Sequence, residues 1–355
     1  MSVSALDITV QKIAQSRIGE VDPSNIQFGK NYSDHMLVAH YENGEWLQPE
    51  IVPFNNLSFS PATTFFHYGQ AIFEGIKAYK GADGNPAIFR PRDNWKRMNR
   101  SAERMGMPAI SEEIFVDGIK ALVDIDRAWI PGSEDTSLYI RPFMLAVDEF
   151  IGVRPAEKFM FIIITSPAGP YYSKPVSIYV QDQFVRAFPG GIGFTKAAGN
   201  YGMSMYPTMQ IKKMGYDQIL WTDGFEHKYV QEIGTMNVFF VIDNTVITPA
   251  LSDTILAGVT RDSVITLLRE KGVTVEEREL SIDEIVKAYN EGHLTEAFGT
   301  GTAASISHIS ELTYHDLHMV LPAEENWKIS EWVKKEMNDI RYCRKDDTHG
   351  WVVKA

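Results

Sequence analysis

The sequence predicts a two-domain α+β protein, and three observations support this. The chain has 355 residues, more than a single domain usually holds. Strand-like and helix-like segments occur in both halves. Between the halves, "PAGPYYSKP" (167–175) combines three prolines, a glycine and paired tyrosines, with strand-like flanks on each side. The expected division is a small N-terminal α+β domain over 1–168, a linker over 169–175, and a larger C-terminal domain over 176–355.

Within the first part, "DHMLVAHYENGEWLQPEIVPF" alternates in polarity around Asn43-Gly44, the signature of a hairpin. "PAIFRP" is a short strand. Asp93 is expected to cap the helix "NWKRMNRSAERMG", which stops at Gly106. A second helix is expected from Ser111 to about Trp129, before Pro131. Two strong strands follow, "SLYIRPFMLAV" and "KFMFIIITS".

The second part restarts with the strand "VSIYVQDQFVRAF". After "GGIGFTKAAGNYG" (190–202), "GMSMYPTMQIKKMG" reads as a helix with Pro207 in its first turn and Gly215 at its end. A meander is expected next: "DQILWT", a turn at Asp223-Gly224, "KYVQEI", "NVFFVID", a turn at Asp243-Asn244, and "TVITP". Thr260 is expected to open the helix "RDSVITLLREKG", and Ser281 with Glu284 forms a capping box for the next. "TEAFGTGTAASISHI" reads as strand, Gly-rich turn, strand. The last helix is "NWKISEWVKKEMNDIRY".

Composition narrows the function. Hydrophobic residues make up 44% of the chain, enough for substantial cores. With 34 basic and 46 acidic side chains the net charge is -12, and no basic run is present. Nucleic-acid binding and attraction to anionic membranes are therefore not expected. Cys343 is the only cysteine, so no disulfide forms within the chain. The first 24 residues lack a long apolar run, and "FMFIIITSPAG" is too short to span a bilayer. The expectation is a cytoplasmic protein.

Four constellations have chemical potential. Lys196 stands among small and apolar residues. An ammonium is costly in dry surroundings, so a lysine held there offers a free amine that condenses with an aldehyde. The plain alternative is a surface lysine at a strand end. "LAGVTRDS" (256–263) and "FGTGTAAS" (298–305) are glycine-bearing loops suited to an anion, the first leading into a helix N-terminus. Ordinary capping and a tight hairpin turn are their alternatives. Glu232 lies in the apolar strand "VQEIGTMNVFF", where a carboxylate needs a cationic or proton-bearing partner unless it faces solvent. Tyr68, Phe73, Tyr139 and Arg141 form an aromatic set with one cation, lining either a pocket or a core. No metal-ligand spacing such as HExxH or CxxC occurs.

Seven stretches together, "FHYGQAIFEGIKAY", "SLYIRPF", "GIGFTKAAGNYG", "GYDQILWTDG", "VQEIGTMNVFFV", "LAGVTRDS" and "FGTGTAASI", resemble the branched-chain amino acid aminotransferases. These are pyridoxal 5′-phosphate (PLP) enzymes of fold type IV. The motifs follow the family order over residues 30–310, and the length resembles the larger, eukaryote-like subgroup. The resemblance implies a homodimer whose large domain carries a β-barrel-like sheet with helices. It implies that Lys196 forms the Schiff base with PLP, and that Tyr201 hydrogen-bonds the cofactor's phenolic oxygen. It places Glu232 at the pyridine nitrogen, and Arg97, Val259, Thr260 and Thr302 at the phosphate. Thr235, Thr302 and Ala303 match positions near the cofactor and the substrate carboxylate. Tyr68, Phe73, Tyr139, Arg141 and Tyr171 match residues around the substrate pocket. The implied substrates are leucine, isoleucine or valine with 2-oxoglutarate, in two half-reactions. A D-amino acid aminotransferase or an aminodeoxychorismate lyase of the same fold is the alternative. A cofactor-free Schiff-base lyase and a non-enzymatic binding protein are more distant ones. Where mammalian members carry a CxxC redox pair this chain has Ala304 and Ser307, so no thiol switch is expected there.

Overall fold

The computed structural model describes residues 7–23, 25–172 and 174–355. Two compact units emerge. The first comprises the chain through Tyr171, together with Thr195–Ala198 and Asp339–Ala355; the second comprises Tyr172–Phe194 and Gly199–Asn338.

The first unit is built on a ten-stranded sheet. Its strands are β1 (Thr9–Val10), β2 (His35–Glu42), β3 (Glu45–Trp46), β4 (Glu50–Pro53), β5 (Ala71–Phe73), β6 (Ile76–Lys80), β7 (Pro86–Phe89), β8 (Ser137–Ala146) and β9 (Phe159–Ala168). The C-terminal strand Val352–Lys354 is the tenth. The order is β1-β4-β2-β9-β8-β6-β7 and then the C-terminal strand, with β3 on β2 and β5 on β8. Asn43 and Gly44 both take positive φ (54° and 88°), which joins β2 to β3 as the sequence predicts. Helices α1 (Thr64–Tyr68), α2 (Pro91–Arg104) and α3 (Gly118–Ile125) complete the unit. Its core includes Leu37, Ile51, Ile72, Ile88, Met98, Phe115 and Phe161, each under 2% exposed.

Three expectations in this unit are corrected. Asp93 is not the cap of α2. Pro91 starts the helix, and Arg90 precedes it with φ 50°, so Asp93 falls in the first turn and takes an ion pair from Arg90 at 2.7 Å. The helix expected over Ser111–Trp129 is broken into a π-helical turn Glu113–Asp117, α3, and a 3-10 turn Arg127–Trp129. Residues 339–355, assigned by sequence to the second domain, belong to the first unit. Val352–Lys354 pairs antiparallel with β7, a long-range pairing that no local pattern encodes.

The second unit carries a nine-stranded, curled sheet. Its strands are β10 (Val176–Val180), β11 (Gln218–Thr222), β12 (Val230–Ile233), β13 (Asn237–Ile242), β14 (Thr245–Thr248), β15 (Val275–Glu277), β16 (Leu294–Gly301), β17 (Ser305–Tyr314) and β18 (Leu317–Val320). The order β12-β11-β10-β17-β16-β13-β14-β15 mixes parallel and antiparallel pairs, so the expected meander is interrupted. Helices α4 (Ala198–Gly202), α5 (Met205–Lys213), α6 (Val259–Glu270), α7 (Ile282–Asn290) and α8 (Lys328–Arg341) follow. The core gathers Ile178, Leu220, Val238, Phe240, Ile285 and Leu312.

Local signals fare unevenly here. Asp243 and Asn244 both take positive φ and make the tight β13–β14 turn. At Asp223-Gly224 a longer loop forms instead, in which the Asp223 carboxylate accepts backbone N–H groups of Phe225, Glu226, Lys228 and Tyr229. Thr260 is not the cap of α6; Gly258 is, and the helix starts at Val259. Ser281 caps α7 by accepting from Glu284 N at 3.1 Å, while the Glu284 carboxylate pairs with Arg278, so only half of the capping box forms.

Candidate active site

Lys196 is anchored through its backbone. Its N–H donates to Ser101 Oγ of α2 at 3.1 Å, and its carbonyl accepts from Phe73 N at 3.0 Å. Ala197, fully buried, bridges Ile72 of β5. The small residues after the lysine permit that close approach. The side chain lies against an aromatic face, with Nζ 4.7 Å from the centre of the Phe73 ring. An ammonium in this position is stabilised by the ring quadrupole.

The same unit holds Arg97, 4% exposed on α2. Its Nε and Nη2 each donate at 2.8 Å to the two oxygens of Glu74. Asn94 Nδ2 donates to Glu74 Oε2 at 2.8 Å. Glu74 is completely buried. Burial pushes its carboxyl up, but the Arg97 guanidinium, then the Lys196 charge and the Asn94 amide, hold it below the usual glutamate range.

The aromatic set is contiguous in part. Tyr139 and Arg141 alternate on one face of β8, so their side chains meet. Arg141 Nη2 donates to Tyr139 Oη at 2.9 Å, and its guanidinium lies 4.6 Å from the Phe73 ring centre. Arg141 Nε is buried and finds no hydrogen-bond acceptor among the described residues. Phe28 packs edge-on against Tyr139 (4.9 Å) and Tyr171 (5.2 Å), which joins Tyr171 to the group. Gly75 is required beside it, since a Cβ there would fall 2.4 Å from Tyr139 Oη. Tyr68 is 40% exposed at the end of α1, its ring beside His67.

In the second unit Tyr201, Glu232 and Thr235 line one small cavity with Arg186, Asn200, Ser204, Trp221 and Gly234. Glu232 is 3% exposed. Its Oε1 accepts from Leu256 N at 2.7 Å, and its Oε2 lies 3.4 Å from Arg186 Nη1. Arg186 is itself fixed, donating to the carbonyls of Thr254 and Gly193. Val259 and Thr260 form the first turn of α6, whose Gly258 cap supplies no side-chain bond. A side chain is excluded at 258, because a Cβ would sit 2.0 Å from Asn237 Oδ1. The positive end of a twelve-residue helix capped by glycine suits a phosphate. Thr302 and Ala303 occupy the turn between β16 and β17, both half-buried.

The first unit therefore offers an amine on an aromatic face and a buried arginine, which suit an aldehyde and a phosphate. The second offers a buried carboxylate beside a guanidinium and a helix N-terminus, which suit a protonatable ring nitrogen and a phosphate. No group of three His, Cys, Asp or Glu is placed to hold a metal ion among the described residues. Sequence reasoning missed Glu74, Arg186, Ser101 and Phe28. Glu74 had a readable signal, one acid in the apolar run "AIFEGI", the same kind that singled out Glu232.

Comparison with known proteins agrees. The model of the family "Amino-transferase class IV" matches residues 71–312, more than half of the chain. The chain is 44% identical to branched-chain-amino-acid transaminase 1 of Bacillus subtilis, over 94% of this chain and 95% of that protein. It is 38% identical to the branched-chain-amino-acid aminotransferase of Mycolicibacterium smegmatis, over the full length of both. Among solved structures, the branched-chain aminotransferase of Thermoproteus uzoniensis with norvaline superposes with TM-score 0.75 at 25% identity, covering 90% of this chain and 99% of that one. The branched-chain amino acid aminotransferase of Thermobaculum terrenum, in its PLP form, shares the fold with TM-score 0.72 at 24% identity, covering 90% and 97%. By its fold, its motifs and these likenesses, the chain belongs to the class IV aminotransferases, the fold type IV enzymes.

Proposed function

We propose that this protein is a branched-chain amino acid transaminase. It uses pyridoxal 5′-phosphate to pass the amino group of leucine, isoleucine or valine to 2-oxoglutarate, giving the branched 2-oxo acid and L-glutamate. The observation that carries this reading is Lys196 laid on Phe73, with Arg141 on the same ring and bonded to Tyr139. A lysine amine beside an aromatic surface and a guanidinium supports this reading, since those groups suit an apolar side chain and a carboxylate. The names carried by relatives at 38–44% identity support the substrate class.

When bound, the cofactor supplies an aldehyde for amines and an acceptor for the electrons released at the substrate's Cα. Lys196 Nζ would be the group that holds it, and as a free amine would take and return the Cα proton. Glu232 would accept the hydrogen bond of the ring nitrogen. Arg186 Nη1 lies 3.4 Å from Glu232 Oε2. Tyr201 would donate to the phenolic oxygen, and Thr235 would lie near the ring. Arg97, Val259, Thr260 and Thr302 would take the phosphate. Tyr68, Phe73, Tyr139 and Tyr171 shape the pocket, with Thr302 and Ala303 at the substrate carboxylate. Arg141 Nε, buried without an acceptor among the described residues, would meet the second carboxylate of glutamate, which an apolar substrate lacks. The active form is proposed to be a homodimer.

The test is a substrate panel. Leucine, isoleucine, valine and D-alanine are each assayed against 2-oxoglutarate, with initial rates at varied concentrations of both partners. Parallel double-reciprocal lines and a strong preference for the three branched L-amino acids are expected. Preference for D-alanine would reassign the substrate within the fold.

A further inference from the structure

We infer that Glu74 is a positioning residue for Arg97. Its buried carboxylate fixes the plane of the guanidinium and so fixes the direction in which Arg97 meets a phosphate. This rests on the reading of Arg97 as a phosphate contact.

The geometry is a fork on a fork. Nε of Arg97 meets Glu74 Oε1 and Nη2 meets Oε2, both at 2.8 Å. Two parallel bonds fix orientation as well as distance. The carboxylate is held in turn. Asn94 Nδ2 donates to Oε2 at 2.8 Å and to the Gly75 carbonyl at 3.2 Å, and Gly75 N donates to Oε2 at 3.2 Å. Asn94, Arg97 and Ser101 are spaced i, i+3 and i+7 on α2, so one helix face carries the clamp, the guanidinium and the contact to the Lys196 backbone. Glu74 also directly follows Phe73, whose N–H bonds the Lys196 carbonyl. The arrangement therefore ties the arginine and the lysine to one short segment.

A bare carboxylate beside Arg97 opposes phosphate binding by its charge. Two roles for Glu74 then give opposite signs on substitution. If Glu74 merely neutralised Arg97, Glu74→Gln would expose positive charge and tighten binding of a phosphate. If Glu74 positions Arg97, the same change loosens the guanidinium and weakens binding.

The experiment titrates the full-length apoenzyme with PLP and with pyridoxal, which lacks the phosphate, following the absorbance of the lysine adduct. Wild type, Glu74→Gln, Glu74→Asp, Arg97→Gln and the double variant Glu74→Gln/Arg97→Gln are compared. Glu74→Gln is expected to lower PLP affinity by about tenfold or more, the scale of a lost hydrogen bond to a charged group, and to leave pyridoxal affinity unchanged. Glu74→Asp keeps the charge but withdraws the carboxylate by one methylene, and is expected to lose PLP affinity too. Arg97→Gln lowers the preference for PLP over pyridoxal, and the double variant loses nothing more. Unchanged or tighter PLP binding in Glu74→Gln overturns the inference. So does an equal loss for PLP and pyridoxal, the mark of a merely structural role. If Arg97→Gln keeps the full preference, the phosphate reading of Arg97 fails, and the inference with it. Should Glu74→Gln not fold, Glu74→Asp carries the same comparison.

Discussion

Glu74 and Glu232 are both acids set in apolar stretches, one in each unit, and they are held differently. Glu74 is clamped by the bidentate Arg97 fork and the Asn94 amide, with Gly75 N also donating at 3.2 Å. Glu232 is held by a main-chain donor, Leu256 N, with Arg186 Nη1 at the longer distance of 3.4 Å. A carboxylate committed to a bidentate arginine acts through that arginine. One held at its back by the main chain, lining a cavity, has the build of a group that meets a ligand. Burial of an acid alone does not separate these roles; the identity of its partners does.

The comparison is broken most directly at Glu232. Glu232→Gln keeps size and the bond from Leu256 N but removes the carboxylate proposed to retain a proton on the ring nitrogen. The expected loss in kcat is about 100-fold or more, with PLP retention near wild type. If the variant instead shed PLP and kept its kcat, the assigned roles of Glu232 and Glu74 would be exchanged.

A smaller and more selective effect is expected at Arg141. Arg141→Gln removes the guanidinium proposed to meet the second carboxylate of glutamate. A loss of about 10- to 100-fold in kcat/KM is expected for 2-oxoglutarate, with much less for leucine. Equal losses for both would make Arg141 a support for Tyr139 and Phe73 rather than a specificity residue.

The smallest effect is expected in the first unit at Lys77, which pairs across the sheet with Tyr139. Lys77 is 8% exposed. Burial, then the Arg341 charge, lowers its amine to about 7, with Asp135 opposing. The ordinary lysine value is 10.5, so between about 7 and 10.5 the unfolded chain binds more protons than the folded one. Stability contributed by this group therefore rises with pH across that window and is flat below it. Lys77→Met should remove a slope on the order of 1 kcal/mol per pH unit, read from urea unfolding at pH 7 and pH 9.5. An unchanged slope in the variant would assign the pH dependence to other groups.

Much of this was legible in the sequence, for physical reasons. Asn43-Gly44 and Asp243-Asn244 demand positive φ, so both turns could be placed. The lysine and its small neighbours marked their own position, because a close backbone approach needs residues such as Ala197. Capping was less legible. Asp93 and Thr260 are good caps by type, yet Pro91 starts one helix earlier and Gly258 caps the other. The pairing of Val352–Lys354 with β7 joins segments more than 260 residues apart, beyond any local pattern. Arg186 and Glu74 were passed over because their meaning lies in what they touch.

The central claim is that Lys196 carries the cofactor. Reducing the PLP-loaded enzyme with borohydride fixes the covalent link, and peptide mass analysis then locates it. The account predicts one phosphopyridoxyl group, on the peptide containing Lys196. A label on another lysine, or none in a catalytically active preparation, would contradict it.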